Sequence, residues 1–214
     1  MGNLDIGHLL RVLPGIVIGF TVHEFMHAYA AVRLGDASAR DDGRLTLNPL
    51  RHIDPMGFIM LVLAGFGWAR PVRIDPTRFS HPRRDEVLVA LAGPFSNLVL
   101  AAAFTLALAV AVGSGINPDN TFAFELANVL LMGVYMNLGL FVFNMIPLPP
   151  LDGSHIYLPF VKGHNPALAM RVYRYGTLLL LGVILIEQFT DSDILPIGWV
   201  VRRLAGVLLS GVGL

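Results

Sequence analysis

Cysteine is absent from this 214-residue chain, so neither a disulfide nor a thiolate metal site can form. Charge is also scarce. Only 14% of residues are charged, against about 25% in soluble domains, and 55% are hydrophobic. A soluble chain of this size needs a polar exterior, and these charges are too few to build one. Lysine is nearly missing: Lys162 stands against fourteen arginines. The formal net charge is zero, which argues against nucleic acid as the main partner. The opening "MGNLDIGHLLR" has no basic n-region and no small-residue cleavage site, so a cleaved signal peptide is not expected.

What is present in quantity is uncharged length. No Asp, Glu, Lys or Arg occurs from Val87 to Pro118, nor from Leu126 to Leu151. Each run exceeds the ~20 residues that span a bilayer. Apolar segments from about Leu9 to Val32 and from about Leu168 to Phe189 are further spans. Ile197 to Leu214 carries Arg202 and Arg203, and either crosses or lies in the interface as an amphipathic helix. Met56 to Gly67 is apolar but short, the length of a re-entrant or interfacial piece. Beside it, residues 44–48 ("RLTLN") and 71–75 ("PVRID") alternate polar and apolar, the period of short strands. The expected fold is an all-α polytopic membrane protein with about four to six transmembrane helices and a small β element at the membrane edge. No linker divides it, so 1–214 reads as one domain.

Arginine orients the chain in the bilayer. Residues 33–54 carry four arginines and 70–84 carry five, whereas 114–121 and 188–196 have no Lys or Arg. Basic loops stay cytoplasmic, so the short apolar piece between the two basic stretches should not cross.

Within the first span lies "TVHEFMHAYA", residues 21–30. Residues four apart share a helix face, so His23 and His27 can present imidazoles to one metal ion. In the HExxH arrangement the intervening glutamate, here Glu24, is the general base toward water on zinc. Ionisable groups in a membrane helix are costly and mark function. A catalytic zinc takes three protein ligands and keeps one position open. His27 lies six residues before Arg33, about 9 Å from the cytoplasmic end of the span, so the third ligand belongs at that depth. Asp152 qualifies. It closes the third span just after Pro147, Pro149 and Pro150, which must break the helix. His155 is the rival ligand, and a plain helix-ending turn with Gly153 is the alternative for Asp152. Asn97 and Asn144 are amides in or beside membrane helices. Each either bonds between helices or donates to a developing oxyanion. Asn128 and Asn137 lack a motif and read as packing residues; His52, His81 and His164 read as solvated loop residues.

Three stretches in order, HEFMH at 23–27, GPFSN at 93–97 and N-x-x-P-x-P-x-L-D-G at 144–153, resemble the site-2 proteases, the M50 intramembrane zinc metalloproteases. The resemblance runs from the first span to about residue 155. It implies one Zn2+ held by His23, His27 and Asp152, with Glu24 activating water. It also implies that Asn97 and Asn144 hold the scissile peptide or stabilise the oxyanion. Transmembrane proteins are the implied substrates, in the cell membrane, with the site near its cytoplasmic face. Residues 68–74 ("WARPVRI") are the expected substrate-receiving strand, and the chain is expected to be the compact form, without PDZ or CBS modules. The competing reading is a membrane metal transporter or metal-binding protein using the same His and Asp. That would need ligands at successive depths, whereas these candidates gather near one face.

Overall fold

The computed structural model describes residues 6–64, 67, 70–114, 120–190, 192 and 194–214. Eight α-helices form among them: α1 (Ile6–Arg33), α2 (Ser38–Asp41), α3 (Pro55–Ala64), α4 (Pro82–Gly113), α5 (Thr121–Asn144), α6 (Leu158–His164), α7 (Pro166–Thr190) and α8 (Ile197–Ser210). Four of them, α1, α4, α5 and α7, are long and apolar enough to cross a membrane. At 1.5 Å per residue each exceeds the roughly 30 Å hydrocarbon core. The ten-residue α3 reaches only about 15 Å, and the fourteen-residue α8 about 21 Å. Thus α3 is too short to span, in keeping with the basic loops on both sides of it.

Local chemistry sets the boundaries. Asn120 caps α5, its side chain accepting from the Phe122 and Ala123 N–H groups. The same helix stops at Asn144, three residues before Pro147. The two Asp-Pro pairs act alike: Asp54 accepts from Gly57 N–H at the start of α3, and Asp75 from Thr77 N–H at a 3-10 turn over Pro76–Arg78.

Helices α1, α4 and α5 form the central triad, each touching the other two. Close approach of α1 and α5 depends on glycine. A Cβ on Gly15 would lie 2.8 Å from Gly133 Cα, a distance that side chains do not tolerate. Small residues at this crossing let backbones meet, the membrane route to tight helix packing. Amphipathic α8 lays Val201 and Ala205 onto Ala101, Val134 and Leu138 of α4 and α5. By contrast α7 joins the body mainly through α6, and Leu178, Leu181, Leu185 and Phe189 along it are exposed. In a bilayer these side chains meet lipid.

The expected β element is not shown: no strand occurs among the described residues, where Ile53 is a single bridge residue. Residues 44–48 and 71–75 are instead held by side chains. The Arg44 guanidinium is buried and donates to three backbone carbonyls, those of Arg51, Arg70 and Pro71, the last two at 2.7 and 2.9 Å. A guanidinium fork thereby satisfies carbonyls that a strand partner would otherwise take. Trp68 and Ala69, in the expected substrate-receiving strand, lie outside the described residues. Asp36 performs the complementary task for N–H groups. Fully buried, it accepts from Ser38 N–H and Asp75 N–H, with Arg78 3.9 Å away. Burial pushes its carboxyl up, but those donors and Arg78 outweigh it and hold the group below the ordinary carboxylate range. His52 is buried as well, its ring Nε2–H donating to Thr46 O at 2.7 Å, so it is not the solvated loop residue its polar neighbours suggest.

Arg44→Ala should loosen this cap without unravelling the spans. Losing hydrogen bonds to a buried charged group costs about 1.5–3 kcal/mol. Limited proteolysis should then cut between residues 42 and 78 faster than in the parent chain, with helix content unchanged. Equal cutting rates would mean that Arg44 does not hold the cap together.

Candidate metal centre

His23 and His27 stand one turn apart on α1, both buried, with their ring planes nearly perpendicular at 86°. Asp152 arrives from the other end of the sequence. It opens a 3-10 turn, Asp152–Ile156, just beyond the prolines that follow α5. That turn packs on α4, and Gly153 makes the fit possible: a Cβ there would lie 2.5 Å from Met145 O.

The three side chains meet at three atoms. His23 Nε2 and His27 Nε2 are 3.0 Å apart, and Asp152 Oδ2 lies 3.1 and 3.3 Å from them. Hydrogen-bond logic fixes the tautomers. His27 Nδ1 is 2.8 Å from Val89 O, which can only accept, so that nitrogen carries the hydrogen. His23 Nδ1 faces Asn97 Oδ1 at 2.7 Å. The Asn97 amide is oriented by its other end, since its Nδ2 donates to Gly19 O at 3.1 Å. With Nδ1 engaged on both rings, it is the Nε2 atoms that face Asp152 Oδ2. That buried oxygen has no hydrogen-bond donor among the described residues.

Two imidazole nitrogens and a carboxylate oxygen this close together need a positive charge between them, a proton or a metal ion. Two imidazole nitrogens and one carboxylate oxygen form a common set for catalytic zinc. For bonds of 2.0–2.2 Å, the edges of a tetrahedron are about 3.3–3.6 Å, slightly wider than the observed 3.0, 3.1 and 3.3 Å. The ring N–H groups both end on oxygen acceptors, as they do behind metal-bound histidines. The residues thus fit a zinc ion, and this is the one such group of His, Asp or Glu found among the described residues.

Glu24 is buried and lines, with His23, His27 and Asp152, a cavity of about 900 Å³. Apolar walls come from Phe20, Leu140 and Phe143. Pro71, Val72 and Ile74 border it from the stretch that Arg44 secures. Asn144 also lines it, half-buried, its Nδ2 donating to Leu140 O at 3.0 Å. Asn97 stands behind His23 with no exposed surface, and its two amide hydrogens go to Gly19 O and Asn137 Oδ1. His155, the rival ligand, points its Nδ1 at Glu86 at 3.1 Å.

Sequence reading passed over Asn137 and Gly93. A signal for the first was available: Gly15 and Gly19 form a G-x-x-x-G step on α1, the mark of a close helix crossing. Gly93 faces the imidazoles so closely that a Cβ would lie 2.4 Å from His27 Nε2.

Asp152→Ala should empty the centre of metal. Losing an outer partner of a ligand costs roughly 10–100-fold in affinity, and losing the ligand itself should cost more. Metal analysis of purified protein checks this. Stoichiometric zinc in the variant would give the third position to another group.

The description Peptidase family M50 belongs to the family model that matches residues 111–183, a stretch containing Asn144 and Asp152. Over 166 residues the chain is 41% identical to "Putative zinc metalloprotease YwhC" of Bacillus subtilis, spanning 78% of this chain and 76% of that relative. Rip2 of Mycolicibacterium smegmatis, which bears the same description, is 31% identical over 180 residues, spanning 82% of this chain and 66% of Rip2. Protease RseP of Photorhabdus luminescens is 34% identical over 89 residues, spanning 39% of this chain and 38% of RseP. No solved structure matches.

Proposed function

Because the chain belongs to peptidase family M50, the site-2 proteases, we propose that it is an intramembrane zinc endopeptidase. It cleaves peptide bonds within or near transmembrane segments of membrane proteins. The observation that carries this reading is the convergence of His23, His27 and Asp152 donor atoms within 4.8 Å of one another, in a cavity shared with Glu24.

His23, His27 and Asp152 would hold the ion. Zinc, when bound, supplies Lewis acidity that makes water a nucleophile near neutral pH and polarises a carbonyl. Everything else falls to the protein. Glu24 takes the proton from the attacking water at its carboxylate and returns it to the leaving amide nitrogen. The apolar walls formed by Phe20, Leu140 and Phe143 receive the substrate's membrane-embedded side chains. Asn144 is the amide placed to meet substrate backbone. Asn97 acts through His23, because its hydrogens are already committed to Gly19 O and Asn137 Oδ1.

The site belongs near the cytoplasmic face of the cell membrane. His27 lies a little under two helical turns before Arg33, the end of α1 that leads into the arginine-rich cap. Water reaches a centre at that depth without crossing the bilayer. A metal transporter would need further ligands along a path, and the described residues offer one group.

Detergent-purified protein tests the proposal. One zinc per chain and chelator-sensitive cleavage of a model transmembrane substrate are expected. Zinc binding without cleavage, together with zinc flux into sealed vesicles, would favour transport instead.

A further inference from the structure

We propose that Asn137 is a positioning residue for the metal centre, acting through Asn97 to fix the His23 ring with its Nε2 lone pair toward Asp152. This role rests on the zinc reading above and extends it to a residue that touches no ligand atom.

Asn137 sits in the middle of α5 with no exposed surface. Its Nδ2 donates to Gly133 O at 2.9 Å and to Gly15 O at 3.3 Å. Both are carbonyls and can only accept, so the amide has one orientation, and Oδ1 must face the other way. There it accepts from Asn97 Nδ2 at 3.1 Å. The second Asn97 hydrogen goes to Gly19 O at 3.1 Å, again an acceptor only. Asn97 Oδ1 is left for His23 Nδ1–H at 2.7 Å. Direction passes along the chain of bonds from the Gly15 and Gly133 carbonyls to the imidazole, with no link free to reverse.

Reversal of Asn97 is the event this arrangement prevents. A flipped Asn97 would aim Nδ2 at His23 Nδ1, which would then have to accept. The ring hydrogen would move to Nε2, into the space between the three donor atoms. With Asn137 in place, that flip also sets Asn97 Oδ1 against the oxygens of Asn137 and Gly19. Such unsatisfied buried oxygens are strongly disfavoured.

Glycine makes room for the relay. A Cβ on Gly19 would lie 2.9 Å from Asn137 Oδ1, and Gly15 meets Gly133 backbone to backbone. A residue needed only to fill space would not require two carbonyls and an amide arranged around it.

Zinc affinity of the purified full-length chain, measured by competition with a chelating dye, tests the role. Asn137→Leu should weaken zinc binding about tenfold, the lower end for an outer-shell partner. Asn137→Ser, too short to reach Asn97, should fall with it, and it serves as the readout where the leucine variant does not fold. Asn137→Asp should retain affinity within about threefold. Facing two carbonyls, its carboxyl stays neutral and offers one donor and one acceptor. In an Asn97→Ala background, Asn137→Ser should have no further effect, because its route to the ring is already cut. Equal affinities for the serine and aspartate variants would overturn the proposal, as would additive losses in the double variant. Wild-type protein that binds no zinc overturns the zinc reading and this role with it, and is recognised before any variant is compared.

Discussion

Glu24→Gln is expected to keep its zinc and to lose cleavage by about 10²–10⁴-fold, the usual contribution of a positioned general base. Glutamine has the same shape and fits the same buried site, but its amide cannot take a proton from water. The three candidate ligands are other residues, His23, His27 and Asp152, so metal content is the internal control. Zinc and activity should therefore separate in this variant, whereas in Asp152→Ala they should fall together. Parallel loss of both in Glu24→Gln would make Glu24 a structural support of the centre. Near-normal turnover would remove it from the reaction. The same variant should hold a bound substrate without cutting it, so crosslinking in cells that express it becomes a way to identify the natural substrate.

The parts of this site that were legible in the sequence are those where spacing is enough. Four residues separate His23 from His27, and a helix turns that number into a shared face. Long uncharged runs located α4 and α5, though each helix begins and ends about a turn and a half or more before its run does, because charged and polar residues at the membrane edge also enter the helix. Asp152 was legible as a carboxylate beyond a proline-broken helix. Its meeting with α1 across well over a hundred residues is a tertiary fact.

What escaped was whatever depends on contacts between distant segments. Arg44 sits among many arginines in the loops between helices, and no local pattern marks it as the one that turns inward to three carbonyls. Alternation at 44–48 and 71–75 suggested strands, because period two records only which side chains face inward. The backbone partner proved to be a guanidinium. Asn137 looked like any amide in a membrane helix. Its meaning lies in Gly15, Gly19 and Asn97, which come from two other helices. Membrane helices blur such signals further, because apolar residues point both toward lipid and toward the interior.

Gly93→Ala is the second large effect, and its sign is the instructive part. Alanine is favoured over glycine inside a helix by about 1 kcal/mol, so α4 considered alone should gain stability. The added methyl would lie 2.4 Å from His27 Nε2, 2.6 Å from His27 Cε1 and 2.8 Å from His23 Cε1. Neither ring can retreat freely, because each is tied from behind, His27 to Val89 O and His23 to Asn97. The methyl displaces a metal-binding nitrogen from its place. Zinc affinity should drop more than the roughly 10–100-fold expected for an outer-shell loss, while the protein remains folded and helical. Gly182→Ala is the matched control: it lies in α7 with nothing within 4 Å of its added Cβ, and it should leave zinc untouched. Dye competition on the two variants side by side separates helix propensity from obstruction at the ligands. Wild-type zinc affinity in Gly93→Ala would mean that the imidazole pair does not stand against α4 when metal is bound, and the geometry assigned to the centre would have to be abandoned.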